Sequence, residues 1–452
     1  MGNSSFGLSI FFILHPLAFG ALISAQYFRK SHREGSKARR NFHRKVTTLS
    51  HIIPIRFLAK QSPNLSGQID RVGIASLQRT LPTMTHKTVL MQSRITALPY
   101  RPTGKPVSPQ PTVCRLPSTS HVPGGEPSGI IASMNHIIAV DIGGTHLRAA
   151  AYPLSSLEPL QHYRIKTYQG KRTPQQNLLQ AIRSVWPPQG SVLGIGVAVP
   201  GPVDPYQGWV LSTPNIPEWR NLPLAQWLSE QFQCPAWIEN DANLAALGEW
   251  RYGAAQGHHD VLYLTISTGI GGGVIIADRL LRGAHGMAAE LGHVTVWPEG
   301  PLCSCGLPGH LEAIASGPAI VRYVREQMSG GVSSSLAKAP LLSADQVAQA
   351  ARQGDVLASQ AFQRAGKYLG IALASFLHIF DPSIVVLGGG VSQSGDLLFQ
   401  PMKEQLRQSV FHPRYLERLQ IVTASLGDSA GLMGARALVE DQLHLQKNRP
   451  DP

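Results

Sequence analysis

The chain has 452 residues, 43% of them hydrophobic, enough to fill two or three domain cores. Its formal charge of +13 sits at one end: residues 1–133 hold 17 Lys+Arg against Glu34, Asp70 and Glu126, a net of +14, whereas residues 134–452 hold 23 against 24, a net of −1. The basic balance therefore gives no argument that the body binds nucleic acid, and four cysteines in so long a chain exclude a disulfide framework and point to a cytoplasmic body.

The first 133 residues form a leader of their own character. Residues 6–25 carry no formal charge and are mostly apolar, long enough to cross a bilayer. Arg29, Lys30, Arg33, Lys37, Arg39 and Arg40 follow, a flank that would keep the rest of the chain on the cytoplasmic side. No basic region precedes the run, as a secretory signal would need, and His15-Pro16 interrupts it. After Arg40 the segment is acid-poor and rich in Ser, Thr and Pro, the composition of a transit peptide or a disordered tether. Met134 stands directly before NHIIAVDIGGT, a natural opening strand, so an upstream extension ahead of the true start is a further reading. A disordered or extraneous leader is preferred over a membrane anchor.

The body opens with an apolar run at 137–140, then Asp141-Ile-Gly143-Gly144-Thr145, then residues 146–152: strand, glycine turn, strand. Gly143 and Gly144 at the tip expose backbone N–H groups with no Cβ in the way, so the turn can approach a phosphate, although an ordinary hairpin reads the same way. Asp141 is placed to hold Mg²⁺ through water. Residues 173–186 carry Leu178, Leu179, Ile182 and Val185 at helical spacing, and Pro187-Pro188 stops them. Residues 192–199 read as a buried strand, the alternation of an α/β domain.

In the loop 212–217, Asn215 either meets a sugar hydroxyl or serves the turn. Residues 222–232 predict a helix and 235–238 a strand. Glu239-Asn240-Asp241-Ala-Asn243 then opens a helix through Trp250; its carboxylates and amides are either chemistry or a cap. Residues 261–266 predict a strand, 267–273 its turn with Thr268, Gly269, Gly271 and Gly272, and 274–277 the return strand. Two strand–glycine–strand hairpins in two halves of the body predict a duplicated fold with phosphates held between them.

Residues 290–312, ELGHVTVWPEGPLCSCGLPGHLE, set His293, Cys303, Cys305 and His310 in one Gly- and Pro-rich loop. Four Cys and His ligands in a tight loop are the donor set of a tetrahedral zinc site. With no open position, such a zinc is structural. Beyond it, helices are predicted over 317–327, from the Ser343/Gln346 capping box to Arg352, and over 355–380, ended by Asp381-Pro382. Residues 384–387 form a buried strand running into Gly388-Gly389-Gly390, either a turn that lies flat against a nucleoside or a tight strand-to-helix turn. A last strand is predicted at 422–426 and a terminal helix at 429–443.

Glu290-x-Gly-His293, then Cys303-x-Cys305-Gly-x-x-Gly-His310-x-Glu312, resembles the signature of the ROK family of sugar kinases and repressors, and the likeness runs from Met134 to about Leu443. The chain departs from it at His310, where the family has a third cysteine. The resemblance implies an α/β protein of the actin-like ATPase (ribonuclease H-like) fold, two α/β domains around a cleft: residues 134–255 with about 430–446, and 256–429 with the zinc loop. It implies that the hairpins of Asp141 and Thr268 flank the phosphates of ATP with Mg²⁺, that Gly388, Gly389 and Gly390 lie near the nucleoside, and that Asn215, Asn240, Asp241, Glu290, His293 and Glu312 contact the sugar. Asp241 matches the family's catalytic base.

The activity implied is that of an ATP-dependent hexokinase, foremost a glucokinase acting on the 6-hydroxyl, in a homodimer. A kinase for fructose, N-acetylmannosamine or N-acetylglucosamine is the alternative. A sugar-responsive repressor would need a helix-turn-helix before Asp141, and the Pro-rich leader lacks the paired helical periodicity of one. No nucleic-acid partner is expected, and a membrane only if the leader is genuine.

Overall fold

In the computed structural model, which describes residues 135–339 and 341–447, the chain builds two five-stranded sheets of the same plan. The expectations for residues 1–133 and for Met134 lie outside the described residues. The first sheet runs β3-β2-β1-β4-β8, from β1 (Asn135–Ile142), β2 (His146–Pro153), β3 (Gln161–Lys166), β4 (Ser191–Val199) and β8 (Ala236–Asn240). Helix α1 (Pro174–Val185) links β3 to β4, and a small sheet of β5 (Val203–Asp204), β6 (Trp209–Ser212) and β7 (Arg220–Leu222) precedes α2 (Leu224–Phe232). The second sheet runs β11-β10-β9-β12-β13, from β9 (Val261–Ile266), β10 (Ile270–Ile276), β11 (Arg279–Leu280), β12 (Ile384–Gly388) and β13 (Gln420–Thr423). In each sheet the first strand pairs antiparallel with its hairpin partner and parallel with a later strand, β1 with β4 and β9 with β12. The duplication expected from the two hairpins is thus present in the strand order.

Between the sheets in sequence lies α3 (Asp241–Tyr252); α4 (Glu312–Ala315), α5 (Gly317–Ser329), α6 (Ala344–Arg352) and α7 (Val356–Phe380) separate β11 from β12, α8 (Asp396–Ser409) and α9 (Arg414–Glu417) separate β12 from β13, and α10 (Ala430–Lys447) follows both sheets. Among the described residues no helix is long and apolar enough to cross a membrane.

Alternation along β1 sorts large from small side chains. Ile138, Val140 and Ile142 enter the core under α1 and α2, while Ala139 enters a second core with Ala150, Ala198 and residues of α3 and α10. On that second face the backbone itself is the packing surface. A Cβ on Gly196 would lie 2.0 Å from the Ala435 carbonyl, so only glycine lets α10 settle on β4. The crossing of α10 with α3 is as tight: a Cβ on Gly434 would lie 1.7 Å from the Leu244 carbonyl, and one on Gly248 2.9 Å from the Gly434 nitrogen.

Several expectations need correcting. The turn predicted over 267–273 is confined to its first three residues, because β10 begins at Ile270 and Gly271, Gly272 and Gly273 pair with β9. Their missing side chains make room for other elements: Cβ atoms there would meet Ala242, Leu291 and Ala246 at 2.5–2.8 Å. The last strand is Gln420–Thr423, not 422–426. Beyond Ala424 the backbone N–H groups of Ser425 and Leu426 donate to the Glu249 carboxylate at 3.2 and 2.8 Å and leave the ladder. Helix α2 starts at Leu224 because Arg220 and Leu222 pair with Ser212 and Val210. The sequence reading did not contain β3, the three-stranded sheet, α8 or α9; α8 holds Pro401, whose ring sits where Gly366 of α7 leaves space.

Replacing Gly434 by alanine should cost about 1–3 kcal/mol of unfolding free energy in a urea titration, since neither helix backbone can retreat.

Candidate functional site

The turn from β8 into α3 sets the centre of the site. Asn240 is the N-cap of α3, and its side-chain oxygen accepts from the Ala242 and Asn243 N–H groups at 2.9 and 3.1 Å. The cap reading is therefore correct for Asn240, and it leaves Asp241 as the first helical residue, facing a cleft of about 690 Å³. The other expected sugar contacts, Asn215, Glu290, His293 and Glu312, line the same cleft, as do Thr268, Gly269, Gly271 and Gly272.

Burial pushes the Asp241 carboxyl up to about 7, helped by the negative charges of Asp141 and Glu290; the hydrogen bond from Ala242 N–H opposes this. The Glu290 carboxyl is raised too, first by burial and then by Glu312, with His293 acting the other way. Glu312 bridges two loops. One oxygen accepts from the Ile270 N–H of the second hairpin at 3.1 Å, the other from the Ser304 hydroxyl at 3.0 Å. Gly269 owes its lack of a side chain to this arrangement, because a Cβ there would sit 2.6 Å from the Glu312 carboxylate.

The Gly-rich loop folds its four candidate ligands onto one point. The ligand atoms of His293, Cys303, Cys305 and His310 all lie within 4.8 Å of one another. His293 Nδ1 is 3.3 Å from His310 Nδ1 and 3.7 Å from Cys303 Sγ, and Cys305 Sγ is 3.2 Å from His310 Nδ1. These separations are close to the edges of a tetrahedron with zinc–nitrogen and zinc–sulfur bonds, about 3.3–3.8 Å. Burial and the charge of His293 lower the His310 pKa, which favours the neutral imidazole a metal needs. The loop can close because Gly309, at φ 75°, packs its α-carbon where a side chain would strike the Trp297 carbonyl 1.7 Å away. Trp297 stacks on Tyr368 of α7, which fixes the loop to the second sheet's largest helix.

The first hairpin is held by contacts within the protein. Asp141 pairs with Arg148, which also donates to the Asp428 carbonyl at 2.6 Å. The Gly143 N–H donates to the His146 carbonyl at 2.8 Å, the Thr145 carbonyl accepts from Thr167 N–H, and a Cβ on Gly144 would meet Asn215 at 2.6 Å. Gly144 seats Asn215, which lines the cleft, and the Asp141 charge acts on Asp241.

A second cavity of about 1060 Å³ shares Ser267 and Thr268 with the cleft and reaches Gly390 and Val391. Of Gly388, Gly389 and Gly390 at the end of β12, Gly390 alone lines it. Gly388 makes room for the Tyr263 hydroxyl, and Gly389, at φ 85°, packs on the Ile266 backbone. Arg322, Arg325 and Arg352 also line this cavity, and no sequence motif singled them out. Sequence reasoning likewise missed Arg148, Ser304 and Arg282, whose partners are distant in the chain.

A sequence model of the ROK family matches residues 137–442. The glucokinase of Thermotoga maritima is 40% identical over 253 residues, 55% of this chain and 80% of that protein. The xylose repressor of Caldicellulosiruptor bescii is 34% identical over 255 residues, 56% of this chain and 63% of that protein. Among solved structures, a ROK family glucokinase from Streptomyces griseus in complex with glucose and AMPPNP superposes with a TM-score of 0.58 at 35% identity, covering 68% of this chain and 99% of that one. That superposition, with the paired sheets, establishes the actin-like ATPase fold expected from the sequence. The match across residues 137–442, most of the body, makes the chain a member of the ROK family.

Proposed function

We propose that this ATP-dependent sugar kinase is a glucokinase that phosphorylates the 6-hydroxyl with Asp241 as general base. The observation that carries the reading is the convergence of Asn215, Asn240, Asp241, Glu290, His293 and Glu312 on one cleft that adjoins a second, larger cavity through Thr268. The sugar takes the first and the nucleotide the second, with the transferred phosphate passing the Thr268-Gly269 turn. That glucokinases from other organisms are 35–40% identical supports glucose as the acceptor.

A sugar hydroxyl is a poor nucleophile, so a carboxylate must take its proton as attack proceeds. Asp241 suits this task because its pKa of about 7 makes it a stronger base than an exposed carboxylate. Phosphoryl transfer otherwise depends on positioning and charge neutralisation, with Mg²⁺ shared between phosphate oxygens. Asp141, whose charge reaches Asp241, would hold that ion through water once Arg148 is displaced or shared.

His293, Cys303, Cys305 and His310 would hold a structural zinc, which supplies no reacting group and braces the loop. His293 uses Nδ1 toward the ligand cluster, which leaves Nε2 for the sugar. Ser304, between the two cysteines, then passes the order of the loop to Glu312.

Four measurements test this reading. Asp241→Asn should lower kcat by about 10²–10⁴-fold, with sugar affinity by equilibrium titration little changed; an unaltered kcat removes the base from Asp241. The free-enzyme profile of kcat/KM should fall about tenfold per pH unit below about 7, because Asp241 is then protonated. A limb near pH 4 would contradict it. Elemental analysis should find one zinc per chain, and a hexose panel should give the highest kcat/KM with glucose.

A further inference from the structure

The segment from Arg282 to Glu290 leaves the second sheet and docks on the first half of the fold before it delivers Glu290 to the cleft. Arg282 follows β11, and the adjacent Leu281 N–H donates to the Val274 carbonyl of β10, which ties the segment's start to the second sheet. The next residues cross over. The Tyr206 hydroxyl, from the β5–β6 turn, donates to the Gly283 carbonyl at 2.7 Å, and a Cβ on Gly286 would strike Pro205 at 2.2 Å.

The strongest contact in this crossing is electrostatic. Arg282 Nε donates to Glu239 Oε2 at 2.6 Å, and Glu239 is fully buried. The other oxygen of Glu239 accepts from Asn240 N–H at 3.0 Å and from Asn243 Nδ2 at 3.1 Å. One carboxylate therefore holds the strand end before Asp241 and the helical turn after it, and its counter-charge comes from the other sheet. Asp441, a further carboxylate near Arg282, pairs with Arg251 and leaves Arg282 to Glu239.

We infer that Arg282 is a positioning residue for phosphoryl transfer: through Glu239 it fixes the turn that carries Asp241 relative to the loop that carries Glu290. This rests on the kinase reading above. The pair lies outside the residues that touch substrate in that reading, yet it joins the two chain segments that must meet around one hydroxyl. A buried carboxylate stripped of its partner draws the turn toward water, and displacements of about 1 Å near reacting atoms lower rates by about 10²-fold.

The test uses the full chain with glucose and ATP-Mg²⁺. Arg282→Met should lower kcat about 10²-fold per sugar-binding site, counted by titration, while the sugar Kd moves by less than about threefold. Arg282→Lys should fall between Met and wild type, since it restores charge without the planar donor. The double variant Glu239→Gln/Arg282→Met should recover at least about tenfold over Arg282→Met, because a neutral amide keeps the bonds to Asn240 and Asn243 with no buried unpaired charge. A purely structural role would lower the number of binding-competent sites and leave kcat per site unchanged. Arg282→Met with kcat within about twofold of wild type, or no recovery in the double variant, overturns the inference while the kinase reading stands. A wild-type chain that phosphorylates no sugar removes both. Should Arg282→Met not fold, Arg282→Lys carries the test, and undiminished kcat in it overturns the inference.

Discussion

Steric room around α3 is the constraint on which the site depends. The helix must start at the cleft, so that Asp241 faces it, and must run between the second hairpin strand and the terminal helix. Both neighbours are stripped of side chains where they meet it: Gly271 and Gly273 of β10 lie against Ala242 and Ala246, and Gly434 of α10 lies on the Leu244 carbonyl. At its far end, Glu249 is fully buried and accepts from Ala254, Ser425 and Leu426 N–H groups. A buried carboxylate satisfied by backbone donors is a rigid joint, because removing it strands several N–H groups together. Helix α3 is thus gripped along its length by backbone contacts and at its C-terminal end by a buried charge.

The cleft is assembled from loops, but each loop is tied to a sheet by something other than its own chain. Gly144 of the first hairpin seats Asn215, and Ser304 and Ile270 both hold Glu312. The cysteine–histidine loop is anchored on α7 through Trp297 and Tyr368. Loops held in this way place side chains with the precision of regular structure, which is what a positioning-dominated reaction needs.

Much of this was legible in the sequence, for identifiable reasons. Strand, glycine, strand is a short-range pattern, and its two occurrences correctly foretold two sheets of like plan. The Ser343/Gln346 capping box is a local signal, and α6 begins where it stands; α7, expected over 355–380, starts at Val356. The four residues of the metal loop lie close in sequence, so their convergence could be anticipated. The glycines carry a second requirement besides the one read from the sequence. Gly269, Gly271 and Gly388 each leave room for a protein neighbour: Glu312, Ala242 and Tyr263. A bare glycine shows that something comes close and does not show what. The ion pairs Arg148–Asp141 and Arg282–Glu239 had no signal, because a surface arginine and a committed one look alike until the chain is folded.

The electrostatics of the cleft follow from how those arginines are spent. Asp141, Asp241, Glu290 and Glu312 crowd one region; of the nearby cations, Arg148 pairs with Asp141 and Arg282 with Glu239, while Arg220 lines the cleft. Neither paired arginine offsets Asp241, which is pressed by burial and by the charges of Asp141 and Glu290. Had either arginine turned to Asp241, the opposite charge would have lowered its pKa and weakened it as a base. The same two pairs that tie down the backbone near the cleft thus leave the Asp241 carboxyl basic, as the proposed role requires. Order and reactivity come from one allocation of charge.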